Sequence, residues 1–547
     1  MSGPGPRIAL VGMGPRALGA LEALAERARA RGIRCAVDGF DPFAAPGAGP
    51  NFDPDESPIC KLNIPLRDIA IRPPESSGVG RFADWSKAGL GPDDFPTRAE
   101  LGRYLCARYD DLLRQNVLDI RHLRHRITAL SRRADGWYLT HGAGWLGPYD
   151  EVLLTLGQPP SRPDPQKADW AEHVAQGAGA LAEAYPAREL AVAAREWAGK
   201  TVAIRGLALS AFDILRVLTC EQGGTFTEEG YRASGREPAR ILPFSLNGQP
   251  PYPKPLTETL DACFAPLETE TARFTAAIEE AASAASPEAA RAALNAALIP
   301  PMARILRSSS TAVDEAALHD WLAQEWAEPG SQQDETAGPE ETLDRGIAMA
   351  TGAAPPGIGY VLGQLWRKWQ DPFRAGYNPA ETPAETAEAL VGFDEGLKRY
   401  SYGPPVASSR ELRALIDAGL VRLDLAVDPE IEMTGSGWTL AKSGNQEAVS
   451  VMIDAVMPSP DPMTLDAPLV DELIDEGWVV RLSEALAAHT AADGGLIGAE
   501  GRDVPPGLCL LGRLALGSVI AVDSLHDCFG EASDRWARGV LSRQAGA

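Results

Sequence analysis

Arg7-Ile-Ala-Leu-Val11 runs straight into Gly12-Met-Gly14-Pro-Arg-Ala17-Leu-Gly19, and the architecture of the chain follows from that junction. The first five residues are a short apolar run with no internal turn signal, suited to a buried parallel strand. Leu18, Leu21, Leu24, Ala25 and Ala28 then fall on one helical stripe that ends near Gly32. Ile33–Phe40 reads as a second strand, closed by Asp41-Pro42. Strand, Gly-x-Gly-x-x-Ala, helix, strand and acid in that order form the context of a dinucleotide fingerprint.

Each position has a physical task. Gly12 permits the tight turn, and Gly14 lets the backbone approach a pyrophosphate whose charge sits at the helix N-terminus. Ala17 allows close helix–strand packing. Asp41, at the end of the strand, is placed to accept ribose hydroxyls, although it lies further from Gly14 than the usual ~20 residues. Asp38 competes for that role but falls mid-strand.

Thr201-Val-Ala-Ile-Arg205 is a second buried-strand candidate, followed by Gly206-Leu-Ala208-Leu-Ser210-Ala211 and a helix carrying Phe212, Leu215, Val217 and Leu218. Ala208 replaces the second glycine, and its methyl should hold a pyrophosphate off the turn. A longer repeat accompanies these motifs. Asp135-Gly-Trp137-Tyr-Leu leads to Glu151-Val-Leu-Leu-Thr155-Leu-Gly157-Gln-Pro159, and Gly435-Ser-Gly437-Trp438-Thr-Leu leads to Val451-Met-Ile-Asp-Ala-Val-Met-Pro458. Each copy reads as a hairpin plus one buried strand. The fold expected is α/β, with two nested Rossmann-like dinucleotide-binding domains and a helical insert where the chain turns Ala- and Glu-rich.

The 547 residues suggest three to four domains. A net charge of −24 argues against nucleic-acid or anionic-membrane binding, which needs clustered Lys and Arg. The seven scattered Cys contain no C-x-x-C and do not read as a disulfide framework, which points to the cytoplasm. No signal peptide is read in Ile8–Val11, and Gly507–Val522 is too short for a membrane span and reads as buried core.

Several signatures together resemble the FAD/NAD(P)-binding protein family, which is similar to the N-hydroxylating and Baeyer–Villiger-type flavin-dependent monooxygenases. They are Val11-Gly-Met-Gly-Pro-Arg-Ala-Leu-Gly, Leu62-Asn-Ile-Pro65, Phe95-Pro-Thr-Arg98, Leu154-Thr-Leu-Gly157, Ser234-Gly-Arg-Glu-Pro238, Tyr402-Gly-Pro-Pro405 and Leu511-Gly-Arg513. The resemblance implies FAD held by Gly12, Gly14, Pro15, Arg16, Ala17 and Asp41, with Thr155 and Gly157 near the nucleotide and Gly512-Arg513 covering the flavin ring. It places Leu62 and Asn63 beside the ring, Asn63 as a polar contact at the reacting face. NADPH is implied at Gly206, Ala208 and Ser210, with Arg236 on the 2′-phosphate because a guanidinium forks onto phosphate oxygens. The domains expected are residues 1–165 and 461–547 for FAD, 195–255 and 401–460 for NAD(P), and 256–400 for a helical insert that is a candidate substrate domain.

The activity implied is NADPH-dependent monooxygenation of a small substrate with O2, an amino-acid or other amine nitrogen leading. Ala208 keeps a flavin oxidase or dehydrogenase without nicotinamide use open, as well as a non-catalytic flavin sensor. Asp523 and His526 are further catalytic candidates because they follow the flavin-covering segment; helix capping by Asp523 and a structural histidine are the plain alternative. No metal site is expected, since the seven His contain no H-E-x-x-H. Trp366 and Trp369 share a helix face and read as core packing rather than a lid.

Overall fold

The structure is a computed structural model that describes residues 5–71, 73–142, 144–309, 314–332 and 338–545. Strands β1 (Arg7–Val11), β2 (Cys35–Phe40) and β3 (Leu118–Leu123) begin a first sheet. It is completed by β7 (Glu151–Leu154) and, from the far end of the chain, by β17 (Leu508–Leu510). The order is β17-β7-β1-β2-β3 and every pair is parallel. The helix Pro15–Arg31 links β1 to β2 and ends as its sequence announces, with Gly32 left-handed at φ 63°.

Between β3 and β7 lies an antiparallel meander of β4 (Ile127–Arg133), β5 (Gly136–His141) and β6 (Gly144–Tyr149). The second sheet holds β8 (Ala180–Glu183), β9 (Thr201–Arg205), β12 (Arg240–Phe244) and β16 (Val451–Asp454), in the all-parallel order β12-β9-β16-β8. A small hairpin, β10 (Thr225–Thr227) and β11 (Gly230–Arg232), hangs from it. Its own meander is β13 (Glu430–Thr434), β14 (Gly437–Lys442) and β15 (Asn445–Val449). Residues 166–194, outside the expected domain boundaries, supply β8 and two helices beside the second sheet.

The long-range repeat is structural. Gly136 and Gly437 open β5 and β14 at φ 148° and 142°, and a Cβ on either would strike the carbonyl of Tyr149 or Val449. Trp137 and Trp438, one residue on, are both fully buried. The two crossings between the domains run side by side, with Arg162 N–H on Thr464 O at 2.8 Å and Asp466 N–H on Pro160 O at 2.7 Å.

Every described element of the insert between Glu258 and Ser401 is a helix, and these helices have their own core. Trp369 stacks on Phe274 at 4.4 Å, while Trp366 donates from its indole nitrogen to Asp394 at 2.7 Å. Both tryptophans are core, as their spacing implies. In the segment 508–522, Leu508–Leu511, Leu514, Ala515 and Ile520–Val522 are buried, also as expected.

Candidate functional site

The first turn separates the work of its two glycines. Gly12 is demanded by the protein itself: φ is +93° and a Cβ would lie 2.3 Å from Thr155 O. Gly14 is not. Its φ of −79° suits any residue, and a Cβ would meet nothing nearer than Gly49 Cα at 3.8 Å. The space over Gly14 is therefore clear of protein. It opens on the first turn of helix Pro15–Arg31, whose N-cap makes no side-chain hydrogen bond. Helices elsewhere in the chain are capped by Thr97, Asp164, Thr257, Ser286 and Asp314. Uncapped N–H groups behind a clear glycine surface fit a pyrophosphate.

A second wall of this cradle is the loop Ala45–Gly49. Gly47 N–H donates to Met13 O at 2.6 Å, and Gly49, at φ +66°, faces Gly14. Its Gly-Ala-Gly spacing was the available sequence signal.

Asp41 accepts from Met13 N–H at 2.7 Å and Phe43 N–H at 2.8 Å, so its carboxylate sits against the turn with lone pairs to spare. Asp38 is consumed elsewhere. Its buried carboxylate meets Arg121 at 2.6 and 2.7 Å, Tyr149 Oη at 2.7 Å and Arg7 at 3.3 Å. Burial alone would raise its pKa, but Arg121, Tyr149 and Arg7 hold it below the usual carboxylate range. Thr155 braces the turn, its hydroxyl donating to Gly12 O at 2.7 Å, and Gly157 leaves β7 at φ +65°.

The segment after β17 returns across this site. Arg16 is buried and donates to Asp527 O at 2.6 Å while pairing with the Asp527 carboxylate. Its guanidinium ties the C-terminal segment down, and its Nε lies 3.6 Å from where a Gly512 Cβ would stand. Arg513 donates to Pro458 O at 2.8 Å and lies 3.6 Å from Asp523. Asp523 also pairs with Lys398 at 2.7 Å; burial would raise its pKa, yet Lys398 and Arg513 hold it low. His526 Nε2 accepts from Ala70 N–H at 3.1 Å, and burial beside Arg374 pulls its pKa down. Asp523 thus sits in an inter-domain ion cluster, and His526 holds the 68–70 backbone as a neutral ring.

Asn63 stands where the two nucleotide domains meet. With Leu62 and Arg98 from the first domain, and Leu209, Phe212 and Asp213 from the second, it lines a small cleft of about 20 Å³, room for one water. Its amide lies 3.5 Å from Tyr402 O. Arg98 bridges to Asp213 at 3.4 Å, and Tyr185 donates to the same carboxylate at 2.7 Å. Lys254, buried in Pro251-Tyr-Pro-Lys-Pro255, donates to Asn63 O. Burial, reinforced by nearby Arg367, pulls its pKa down to about 7. Neither Lys254 nor the Arg98–Asp213–Tyr185 group was found from sequence, because their partners lie far along the chain.

At the second turn Gly206 has φ +120°, and its N–H donates to Phe244 O at 2.7 Å, as Gly12 N–H does to Phe40 O at 2.8 Å. Ala208 is exposed at an N-cap without a side-chain bond, and Ser210 lies in the first turn of helix Leu209–Thr219. Arg236 is a correction. A Cβ on Gly223 would touch its Nη2, so it lies beyond the C-terminus of that helix. Eleven helical residues, about 16 Å at 1.5 Å each, separate it from the turn. It stands at the opposite end of that helix from the turn.

Residues 9–159 match the family model described as FAD-NAD(P)-binding. The matched residues run from β1 to just past β7 of the first sheet. The chain is also 33% identical over 265 residues to the nitrosuccinic acid synthase of Aspergillus oryzae, covering 44% of this chain and 40% of that protein. It is 29% identical over 298 residues to the L-aspartate N-monooxygenase (nitrosuccinate-forming) of Streptomyces davaonensis, covering 44% of each. The aligned region spans less than half the length of these relatives. Among solved structures, the ornithine hydroxylase of Pseudomonas aeruginosa superposes over 99% of this chain and 100% of its own, with TM-score 0.52 at 14% identity. The cadaverine monooxygenase of Erwinia amylovora superposes over 99% and 95%, with TM-score 0.51 at 11% identity. These likenesses bear on the fold. The first sheet, completed by β17 from the far end of the chain, is thus nested around a second Rossmann-like unit. Among the described residues no helix is long and apolar enough to cross a membrane, and no cluster of His, Cys, Asp and Glu could hold a metal.

Proposed function

We propose that this chain is an FAD-dependent, NADPH-using monooxygenase that hydroxylates the nitrogen of a small amine, with L-aspartate the leading substrate. The observation that carries the reading is that the two nucleotide domains meet at one cavity. Asn63, from the domain whose cradle at Gly14 fits a pyrophosphate, and Leu209, from the first turn of the second fingerprint helix, line one cavity. When bound, FAD supplies hydride acceptance from NADPH and the activation of O2. The chain's part is positioning. Gly14 and the uncapped helix N-terminus receive the pyrophosphate, Asp41 the ribose hydroxyls, and Gly206 with Ser210 the nicotinamide nucleotide. Asn63, held between Lys254 and Tyr402, presents its amide to the reacting ring, and Gly512 with Arg513 lies across the site. The buried interface and the packed insert keep water from the chemistry.

The amine class rests on the named activities of the partial relatives. The test is anaerobic titration of the purified protein with NADPH and NADH, then O2 uptake with L-aspartate, L-ornithine and simple amines. Bleaching by NADPH and uptake that rises with an amine are expected. A flavin bleached by neither nucleotide favours the oxidase reading that Ala208 suggests. A protein that cannot take up FAD would remove the proposal altogether.

A further inference from the structure

The register of the two turns identifies what stands in place of Asp41 in the second domain. Gly12 bonds to Phe40 O and Gly206 to Phe244 O, so Ser245 is the counterpart of Asp41. A carboxylate at the end of this strand accepts ribose hydroxyls and repels a 2′-phosphate; a hydroxyl leaves that position neutral. Ser245 Oγ accepts from Gly248 N–H at 3.0 Å, and Asn247 Oδ1 accepts from Gln249 N–H at 3.1 Å, so the loop turns with the Asn247 side chain fixed through its oxygen. The Asn247 NH2 group has no partner among the described residues.

Asn247 lines an open cavity of about 420 Å³ between the end of β12 and the helical insert. Gly330, Gly392 and Gly396 keep much of its wall bare, beside Pro329, and Arg399 lines it. The Arg399 Nη1 donates to Gly330 O at 3.3 Å, while Nε and Nη2 are buried without an acceptor among the described residues. Tyr252 and Tyr400 lie under the guanidinium at 5.6 and 5.1 Å and set its plane. Glu395, the one acid on the wall, is paired with Lys398 at 2.5 Å. Arg399 is half-buried and lines the cavity, and a partly desolvated guanidinium with unspent donors favours an anion beside it.

We infer that this cavity takes the 2′-phosphate and adenosine ribose of the nicotinamide nucleotide, with Arg399 of the insert as the phosphate partner and Asn247 as a second donor. The inference rests on the proposed use of NADPH and assigns its selectivity to a helix outside the Rossmann domain. It replaces Arg236 in that role.

The test uses the FAD-loaded full chain and compares NADPH with NADH by anaerobic flavin reduction, with adenosine 2′,5′-bisphosphate and ADP as competitors. Arg399→Ala is expected to raise the NADPH requirement about 10- to 100-fold, the scale of one charge-assisted phosphate contact, while NADH stays within about twofold. Because Arg399 packs on two tyrosines, Asn247→Asp is the second variant. Asn247 is exposed and keeps its acceptor as aspartate, so folding is spared. It should weaken NADPH and the bisphosphate while sparing or improving NADH. If Arg399→Ala and Asn247→Asp leave the NADPH:NADH ratio unchanged, the inference falls and the proposed function stands. A raised KM for the amine with unchanged NADPH would hand the cavity to the substrate and also overturn it. A wild-type flavin bleached by neither nucleotide would remove the proposed function itself.

Discussion

Gly14 and Ala208 hold the same backbone conformation at the two fingerprint helices, φ −79°, ψ −165° against φ −97°, ψ −157°. The alanine is therefore unstrained, and what separates the two turns is a single methyl group facing the ligand side. Ala208→Gly should tighten the nicotinamide nucleotide several-fold without loss of stability, since glycine is at least as good an N-cap as alanine. The reductive half-reaction titrated with NADPH, alongside a thermal melt, checks both halves.

The glycines of the first turn should part company on substitution. Gly12→Ala places a Cβ against Thr155 O at a positive φ and is expected to cost at least about 2 kcal/mol of stability. Gly14→Ala meets only Gly49 Cα, at an ordinary contact distance of 3.8 Å, so the apoprotein should melt as the parent does. Its FAD affinity should fall at least about tenfold, the worth of ~1.4 kcal/mol. Equal loss of apoprotein stability in both variants would refute the distinction.

Asp41 and Asp38, three residues apart, should also separate. Asp41→Asn removes the charge from the ribose position and should lower flavin content at saturating protein stability. Asp38→Asn breaks the pairing of a buried carboxylate with the exposed Arg121 and should cost about 1–3 kcal/mol with flavin binding retained in the folded fraction. The pKa of Asp38 is depressed in the fold, so its contribution is complete above the unfolded value near 3.9 and is lost as pH falls through the folded value. The parent should therefore lose more stability than Asp38→Asn on acidification below about pH 4, measured by urea midpoints.

Lys254 gives the opposite slope. Its folded pKa, about 7, lies below the unfolded value near 10.4, so the unfolded chain holds the proton more tightly between those limits. Stability from this group rises with pH across that window. Lys254→Met should show its greatest relative stability near pH 6, shrinking toward pH 10, over any constant offset from the lost bond to Asn63. Melting temperatures of both proteins across that range measure it; a pH-independent difference would contradict the assignment.

Much of the site was legible because it is local. The turn at Gly12–Ala17, the helix stop at Gly32 and the placement of Asp41 past the strand end depend on residues within a few turns of one another. The Trp137 and Trp438 repeat was legible for the same reason, since the glycine before each tryptophan answers to a strand packed within the same hairpin. The catalytic expectation for Asp523 and His526 came from nearness in sequence to Gly512-Arg513. Their partners, Lys398 and the backbone of Ala70, are 125 and 456 residues away.

What the sequence by itself determined is thus the pair of Rossmann-like units, their nesting and the cradle of the first, because periodicity, glycine φ and strand-end position are written into short segments. Tertiary structure alone decided which charges face those cradles. It sent Arg236 to the far end of helix Leu209–Thr219, bound Arg16 to Asp527, buried Lys254 against Asn63 and brought Arg399 of the insert beside Asn247. A side chain's electrostatic neighbours are set by packing across hundreds of residues, and no local pattern encodes them.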